Sequence, residues 1–332
     1  MLKRIFLIIK RALLYGKELP KDIREFGVGA AIWIFLIAVL PSVKGPRYIR
    51  FLTKYMNDFF SPITEQFKSG DYDADLHIPE NHRKVGNSPV WVCWLQGEEN
   101  MPELVKVCYE QLKKNVPSYA EIHLITLDNY AEYITLPEYV MRKFAEGKIT
   151  MIHFTDFLRS SLLYAYGGMW IDSTVWTANK IPDDFFKRDF YAQRTRDESQ
   201  YPNEPSRARW SGFLLGGKKG NILFCYMRNA LWYYWKVHEK NIEYIILDYT
   251  ILGAYNNLPS CKRDIDAVPC NNEYLWRLIV LLNDAYDEDT YNSLINDTTF
   301  FKLAYKMRLD KYTPSGEKTY YKHIIDTSKI RS

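Results

Sequence analysis

Residues 153–176 constrain the fold of this chain more than any other stretch, because they predict a helix, a turn and a strand in immediate succession. Thr155 or Asp156 can cap the start of the helix, and apolar side chains follow at helical spacing. Gly167 lies where a left-handed residue commonly ends a helix. A second glycine follows, so the chain can turn sharply into the next element.

The predicted strand after this turn ends on a carboxylate. Residues 169–171 are apolar, and Asp172 and Thr174 then project from one face because successive strand side chains alternate. A buried carboxylate without a partner is costly, so Asp172 is expected to face a polar crevice. Ligands of open α/β sheets bind in such a crevice, beyond the carboxyl ends of the strands. The run therefore predicts a ligand site at Asp172.

This run resembles the sugar-nucleotide-binding core of glycosyltransferase family 32 and, more closely, that of the bacterial capsular polysaccharide synthesis proteins. Those families share an Asp-x-x-Arg helix, a Leu-Tyr-x-x-Gly-Gly segment, an aromatic residue and an Asp-x-Asp-like motif. The matching positions here are Asp156, Arg159, Leu163, Tyr164, Gly167, Gly168, Trp170 and Asp172. The third motif position is Thr174 instead of Asp, a change that capsular members often carry.

The elements before this run fit the same architecture. Residues 89–97 predict a buried strand stopped by glycine, 101–115 a helix and 121–126 a second strand. A strand–helix–strand order predicts a parallel sheet covered by helices. The resemblance implies more, namely an α/β domain with a GT-A-like, Rossmann-type mixed sheet flanked by helices, placed over residues 85–330.

An aromatic residue at the end of the first strand is the candidate base platform. Trp94, Gly97 and 115–117 match the start of the family's catalytic domain, where such an aromatic stacks on the nucleotide base. The resemblance therefore implies that Trp94 stacks on the base, and the alternative is that Trp94 is a core residue. Trp91 is interpreted as core.

The resemblance also implies roles for the central helix and strand. Asp156 would accept hydrogen bonds from the donor sugar, Arg159 would clamp a hydroxyl or phosphate, and Trp170 would flank the nucleotide. Because Asp156 and Arg159 are three residues apart, a purely intrahelical ion pair is the alternative. Asp248 and Trp210 are weaker candidates for acceptor contact.

The motif also implies a divalent metal, Mn²⁺ or Mg²⁺, bound at Asp172. Thr174 is a weak ligand for such an ion because its hydroxyl is neutral. Three arrangements stay open. Asp172 binds the metal with His323, the donor phosphates and water hold most of it, or a cation replaces it. The cations considered for that replacement are Lys302, Lys306 and Lys322.

The N-terminal part predicts a membrane-associating helical segment over residues 1–60. It contains eleven Lys and Arg against four Asp and Glu, although the whole chain carries only +4. Such a basic, apolar segment favours an anionic membrane surface, at the cytoplasmic face of a bacterial cell membrane. Residues 26–40 are shorter than the ~20 needed to span a bilayer, and no signal-peptide cleavage site follows. The alternative is a buried helix packed on the catalytic domain, or an oligomer contact.

Several smaller expectations complete the sequence picture. Residues 61–84 predict an irregular polar connection, and 194–209 a loop that covers the donor. Residues 221–238 and 244–255 predict helices. The five cysteines have no metal-ligand spacing, which favours reduced thiols; a Cys261–Cys270 pair across a loop is the alternative. The catalytic region lacks the basic character of nucleic-acid binding.

Together these features predict transfer of a sugar from a nucleoside-diphosphate sugar, expected to be a UDP-sugar, to a lipid-linked or other oligosaccharide acceptor. The pathway is capsular or cell-surface polysaccharide synthesis, and family 32 enzymes imply retention of anomeric configuration. Two alternatives stay open: a non-catalytic nucleotide-sugar-binding or scaffold subunit, and a phosphosugar transferase. The sugar, the linkage and the oligomeric state do not follow from the sequence.

Overall fold

A computed structural model describes residues 2–195 and 204–329 of the chain. It is a mixed α/β structure with a central five-stranded sheet, and the strands are short and mostly buried. The strands are β1 (Pro89–Cys93), β2 (Glu121–Ile125), β3 (Gly168–Ile171), β4 (Val175–Thr177), β5 (Phe190–Ala192), β6 (Leu214–Gly217) and β7 (Phe300–Lys302).

The central sheet has the strand order β2-β1-β3-β6-β5. Strand β1 pairs in parallel with β2 and β3, whereas β6 runs antiparallel to both β3 and β5. The predicted parallel strands therefore form one half of a mixed sheet, and the mixed α/β prediction is confirmed at this level. A separate antiparallel pair joins β4 to β7, with Val175 opposite Lys302.

Helices cover both faces of the sheet and extend to the N-terminus. The described helices are α1 (Leu2–Gly16), α2 (Leu19–Val39), α3 (Pro46–Phe59), α4 (Ser61–Ser69), α5 (Glu103–Asn115), α6 (Glu138–Ala145), α7 (Met151–Tyr166), α8 (Ile222–Val237), α9 (Ile246–Asn257), α10 (Pro259–Asp266), α11 (Arg277–Leu281), α12 (Glu288–Asp297) and α13 (Tyr320–Lys329). The helices predicted at 101–115, 221–238 and 244–255 correspond to α5, α8 and α9.

The central helix α7 begins earlier than the sequence predicts. Thr150 is its N-cap, and its side chain accepts a hydrogen bond from the His153 amide, so the predicted cap at Thr155 or Asp156 is wrong. The extra first turn places Asp156 in the buried middle of the helix. Because a mid-helix acidic side chain is not needed for capping, it is available to pair with Arg159.

Two glycines at the end of α7 bring the chain back beside β1. Gly167 has φ +70° and ψ −150°, so it has the positive φ that was predicted but not the left-handed helical conformation. Gly168 has φ +84°, and a Cβ there would lie 2.0 Å from the carbonyl oxygen of Pro89. This close approach fixes the position of β3 against β1 and therefore the position of Asp172.

The region before the sheet is helical and packs on the rest of the molecule. Residues 61–84 begin with α4, whose Ile63 and Phe67 are buried, so the predicted irregular connection is wrong for its first part. Irregular chain follows, and the buried Arg228 side chain donates to the Asp73 carbonyl oxygen at 2.6 Å. Helix α3 packs on α9 and α4 packs on α8.

Helices α1 and α2 pack against each other at the N-terminus. Phe26 and Ala30 of α2 belong to the main hydrophobic core, which agrees with the packed-helix alternative for part of residues 26–40. Val28 and Ile32 are 59 % and 46 % exposed, however. Within residues 2–195 and 204–329, no helix has both the length and the apolar content needed to cross a bilayer.

Two further predictions concern the cysteines and the long polar loop. All five cysteines are free thiols, so Cys261 and Cys270 do not form the disulfide considered as the alternative. Cys270 is the exposed one. The middle of the predicted donor-covering loop, residues 196–203, lies outside the described residues. The described end of that loop, 204–209, forms turns that lead to Trp210.

Replacing Gly168 with Ala is expected to lower the free energy of unfolding by about 3 kcal/mol, because the new Cβ meets backbone and the positive φ adds strain. Gly316→Ala is the matched control: its φ is +88° but a Cβ there contacts nothing within 4 Å, so about 1 kcal/mol is expected from φ alone. Urea unfolding measures both values. Equal losses in the two variants would contradict the close-approach argument.

Candidate functional site

A crevice lies at the carboxyl ends of the parallel strands β1 and β3, where the sequence predicted it. Its volume is about 680 Å³, within the usual range for small-molecule sites. Strand β1 contributes Cys93 to its lining and is followed by Trp94, β3 is followed by Asp172, and α7 contributes Asp156 and Arg159. We call this space the crevice.

Asp172 is the hub of a hydrogen-bonded cluster in the crevice. Its Oδ1 accepts hydrogen bonds from the Trp170 indole N–H at 2.8 Å and from Arg159 Nη2 at 3.1 Å. Its Oδ2 accepts one from Lys302 Nζ at 2.9 Å. The Asp172 amide donates to the Phe213 carbonyl oxygen, which extends the β3–β6 pairing by one residue. Both carboxylate oxygens therefore have cationic partners.

Arg159 joins Asp172 to the other acid on α7. Its Nη1 donates to Asp156 Oδ1 at 3.0 Å, and both of these side chains are only 8 % exposed. The guanidinium also lies 4.8 Å from the centre of the Trp170 ring. The intrahelical pair considered from the sequence is therefore present, and the same arginine also binds Asp172. Its Nε is buried and has no hydrogen-bond partner among the described residues.

Lys302 brings a second cation to Asp172 from a strand 130 residues later in the chain. The β4–β7 pairing places it beside the motif, and its Nζ donates to Thr174 Oγ1 at 2.7 Å as well as to Asp172. The Leu303 amide donates to the Thr174 carbonyl oxygen at 3.0 Å, which holds the two segments together. Lys306 also lines the crevice, whereas Lys322 pairs with Asp326 elsewhere.

The residues present do not fit a divalent metal held by the protein. Asp172 and Thr174 both bind Lys302, and Asp172 also binds the Arg159 guanidinium. His323 lies outside the crevice, where its ring stacks on Tyr286 at 3.9 Å. The described part of the chain contains no group of three or more His, Cys, Asp and Glu side chains that could hold a metal ion.

Aromatic side chains form much of the remaining wall. Trp94 is partly exposed there, its indole N–H donates to the Asn100 carbonyl oxygen at 3.2 Å, and its ring meets the Tyr305 ring edge-on at 5.5 Å. Trp170 is almost fully buried, and its indole N–H donates a hydrogen bond to Asp172. Trp91 is a core residue, as predicted, and donates to the Gly167 carbonyl oxygen.

The proposed acceptor residues are paired with each other. Asp248 on α9 lines the crevice, and its Oδ1 accepts a hydrogen bond from the Trp210 indole N–H at 2.9 Å. Trp210 itself is 1 % exposed and does not line the crevice. Trp210 therefore orients Asp248, and Asp248 is the member of the pair that a ligand can reach.

The three carboxylates of the crevice differ in their pKa values. Burial raises the pKa of Asp156 to about 7 despite the nearby Arg159, and Asp248 and Asp172 raise it further. Burial also raises the pKa of Asp248 to about 6, although the Trp210 hydrogen bond acts against it. Burial acts in the same direction on Asp172, but the attraction of Lys302 and Arg159 is stronger and lowers its pKa below the usual value. Asp172 is therefore the member that is ionised at neutral pH.

The family model of the capsular polysaccharide synthesis proteins matches residues 49–324, which contain every part of the crevice. The chain belongs to this family. No curated protein matches it. Membership in the capsular polysaccharide synthesis family indicates a role in capsule biosynthesis and is consistent with a glycosyltransferase.

The structure brings together most of the residues selected from the sequence. The crevice contains the following members of that selection: Trp94, Asp156, Arg159, Trp170, Asp172, Thr174 and Asp248. Trp210 and His323 are not part of it. Three aromatic residues that were not selected from the sequence also line the crevice: Phe213, Tyr244 and Tyr305. Their only sequence signal is that they lie near predicted element ends, which does not distinguish them from core aromatics.

Asp156→Asn is expected to flatten the pH dependence of stability. The folded protein retains a proton on Asp156 up to about pH 7 that the unfolded chain releases near pH 3.8, so the free energy of unfolding falls as the pH rises through this window. Because asparagine does not titrate, the variant loses this contribution to the slope of the free energy of unfolding against pH, which is at most about 1.4 kcal/mol per pH unit. Urea unfolding at pH 5, 6 and 7 measures it. The exposed Asp128→Asn is the control, and an equal slope in both variants would contradict the raised pKa.

Proposed function

We propose that this protein is a glycosyltransferase that moves a sugar from a nucleoside-diphosphate sugar, expected to be a UDP-sugar, to a lipid-linked saccharide during capsule or cell-surface polysaccharide synthesis. The observation that carries the proposal is the Asp172 cluster, a carboxylate in an open crevice with Arg159 and Lys302 bound to its two oxygens. A donor of this kind has both hydroxyls and phosphates. The cluster has a carboxylate that can accept hydrogen bonds from hydroxyls, and two cations that can bind phosphates.

The charges of the crevice suit the two ends of the donor. Cationic groups at the Asp172 cluster and Lys306 at the rim provide charge-assisted contacts for a diphosphate. Asp156 and Asp172 provide carboxylate oxygens that accept hydrogen bonds from sugar hydroxyls. We therefore propose that the sugar lies beside α7, with its phosphates toward β7.

The nucleoside is assigned to the aromatic side of the crevice. Trp94 and Tyr305 are adjacent there and both are partly exposed. Base stacking on an aromatic ring contributes about 1–3 kcal/mol and does not require a particular base. The choice of a uracil base follows from the family resemblance, whereas a base platform follows from these two rings.

The acceptor is assigned to the Asp248 side. Asp248 lies on α9 and the exposed Tyr244 precedes that helix, so both can contact a saccharide that enters from solvent. The Cys93 thiol is not suited to act as a covalent nucleophile, because it is buried and burial raises its pKa. Retention through front-face displacement, with the donor phosphate receiving the acceptor proton, is the proposed course.

Asp172→Asn is expected to lower the transfer rate by about 100-fold or more, because it removes the charge that orients both cations. The assay incubates the purified full chain with a panel of nucleotide sugars and a lipid-linked saccharide, and identifies the products by mass spectrometry. The exposed Asp128→Asn is the matched control. Release of a nucleoside diphosphate supports the proposal.

The same assay separates the alternatives. Release of a nucleoside monophosphate identifies a phosphosugar transferase. Binding of a nucleotide sugar without any transfer indicates a non-catalytic subunit. Unchanged transfer by Asp172→Asn contradicts the assignment of the site to this cluster.

A membrane-surface location is proposed for the N-terminal helices, because α1 exposes apolar side chains and the proposed acceptor is lipid-linked. Phe6, Ile9 and Leu13 repeat at helical spacing on α1 and are 72 %, 53 % and 69 % exposed. The exposed Lys10 and Lys17 lie near this apolar face. An apolar helix face next to cations matches an anionic lipid surface, where the helix would lie in the plane of the interface.

The double substitution Phe6→Asp and Leu13→Asp is expected to weaken binding to vesicles of phosphatidylglycerol and phosphatidylcholine by at least about 10-fold, since two apolar side chains no longer enter the interface. Co-sedimentation measures this partition. Val280→Asp, which changes an equally exposed apolar residue on α11, is the control. Equal sedimentation of the double variant and the control would argue against α1 as the membrane contact.

A further inference from the structure

The clearest unassigned feature is the position of Lys302. It belongs to β7, about 130 residues after the motif, yet its ammonium group lies 2.9 Å from Asp172 Oδ2 and 2.7 Å from Thr174 Oγ1. Those are the two side chains at the ends of the Asp-x-Thr motif. The ammonium therefore occupies the place between the motif's side chains that a cation would take.

This position is built into the fold and is not the result of a loose surface side chain. The Lys302 amide donates to the Leu275 carbonyl oxygen at 2.9 Å, and the next amide donates to Thr174. Only 17 % of the Lys302 side chain is exposed, and its ammonium also lies 4.9 Å from the centre of the Phe213 ring. Lys302 is therefore held by its backbone hydrogen bond, by the side chains of Asp172 and Thr174, and by the Phe213 ring.

A divalent ion at the same place would face an unfavourable set of neighbours. Asp172 is the motif's only carboxylate, and its other oxygen already binds Arg159. Thr174 supplies a neutral hydroxyl, a poor replacement for a second carboxylate. An added ion of charge +2 would have to displace Lys302 and remain close to Arg159. Compared with an Asp-x-Asp motif that holds a divalent ion, threonine at position 174 removes one negative charge and Lys302 adds one positive charge. Together the two differences compensate for the two positive charges of the ion.

We propose that Lys302 replaces the divalent cation, so that this protein transfers its sugar without a metal ion. The inference rests on the proposed function and specifies how its departing group is stabilised. The bond between the anomeric carbon and the phosphate oxygen breaks with its electron pair on that oxygen. The acceptor hydroxyl oxygen bonds to the anomeric carbon, and its proton passes to the departing diphosphate. The Lys302 ammonium and the Arg159 guanidinium face the charge that develops there.

The test uses the full chain with UDP and with the UDP-sugar that supports transfer. Wild-type protein treated with EDTA is expected to keep its kcat within twofold, and Mn²⁺ or Mg²⁺ is expected to change neither kcat nor the affinity for UDP measured by calorimetry by more than twofold. Lys302→Gln is expected to bind UDP about 10-fold more weakly and to lose about 100-fold in kcat. Lys106→Gln, at an exposed position on α5, is the matched lysine control and is expected to behave as wild type.

The outcomes separate this inference from the proposed function. Transfer that EDTA abolishes and Mn²⁺ restores overturns the metal-free inference alone, and this result does not depend on whether any variant folds. A normal kcat in Lys302→Gln overturns it as well. A chain that neither binds UDP nor transfers sugar, with or without a metal, contradicts the proposed function and the inference together.

Discussion

The ion pairing of Asp172 with two cations is the interaction on which the rest of the site depends. The carboxylate follows an apolar strand and would be costly to hold there alone, but Arg159 approaches one oxygen and Lys302 the other. Breaking a well-buried pair of this kind costs about 3–5 kcal/mol, and less is expected here because 28 % of the Asp172 side chain is exposed. The partial exposure is also what leaves the cluster open to a ligand. The stability of the fold and the proposed donor binding would therefore depend on the same contacts.

The electrostatic differences among the three acids follow from where each backbone element places its side chain. Asp156 lies inside a helix and Asp248 near the start of another, so burial is the largest effect on both and raises each pKa. Asp172 is just as close to apolar groups, but it alone contacts two cations. One crevice therefore contains a carboxylate that is charged at neutral pH and two acids whose pKa values are raised to about 7 and about 6.

Local features of the fold were predictable from the sequence, and features that depend on distant packing were not. The helix–glycine–strand run was recognised because its signals are adjacent, and the parallel strands followed from their order. The helix start was misplaced because Thr155 and Asp156 are good caps in isolation, whereas Thr150 has the cap geometry. Helix α4 was missed because its short apolar pattern lies in polar sequence. For Lys302 the sequence supplied only a list of three basic residues, since nothing local indicates which of them pairs with a strand far earlier in the chain.

The β4–β7 pairing has a consequence for the order in which the molecule is completed. Asp172 and Arg159 are close together in sequence, but the lysine that binds the second carboxylate oxygen belongs to β7, 130 residues after Asp172. During synthesis the motif therefore emerges from the ribosome long before its charge is balanced. A nascent chain in which β7 has not yet been made therefore has only one of the two cations that bind Asp172.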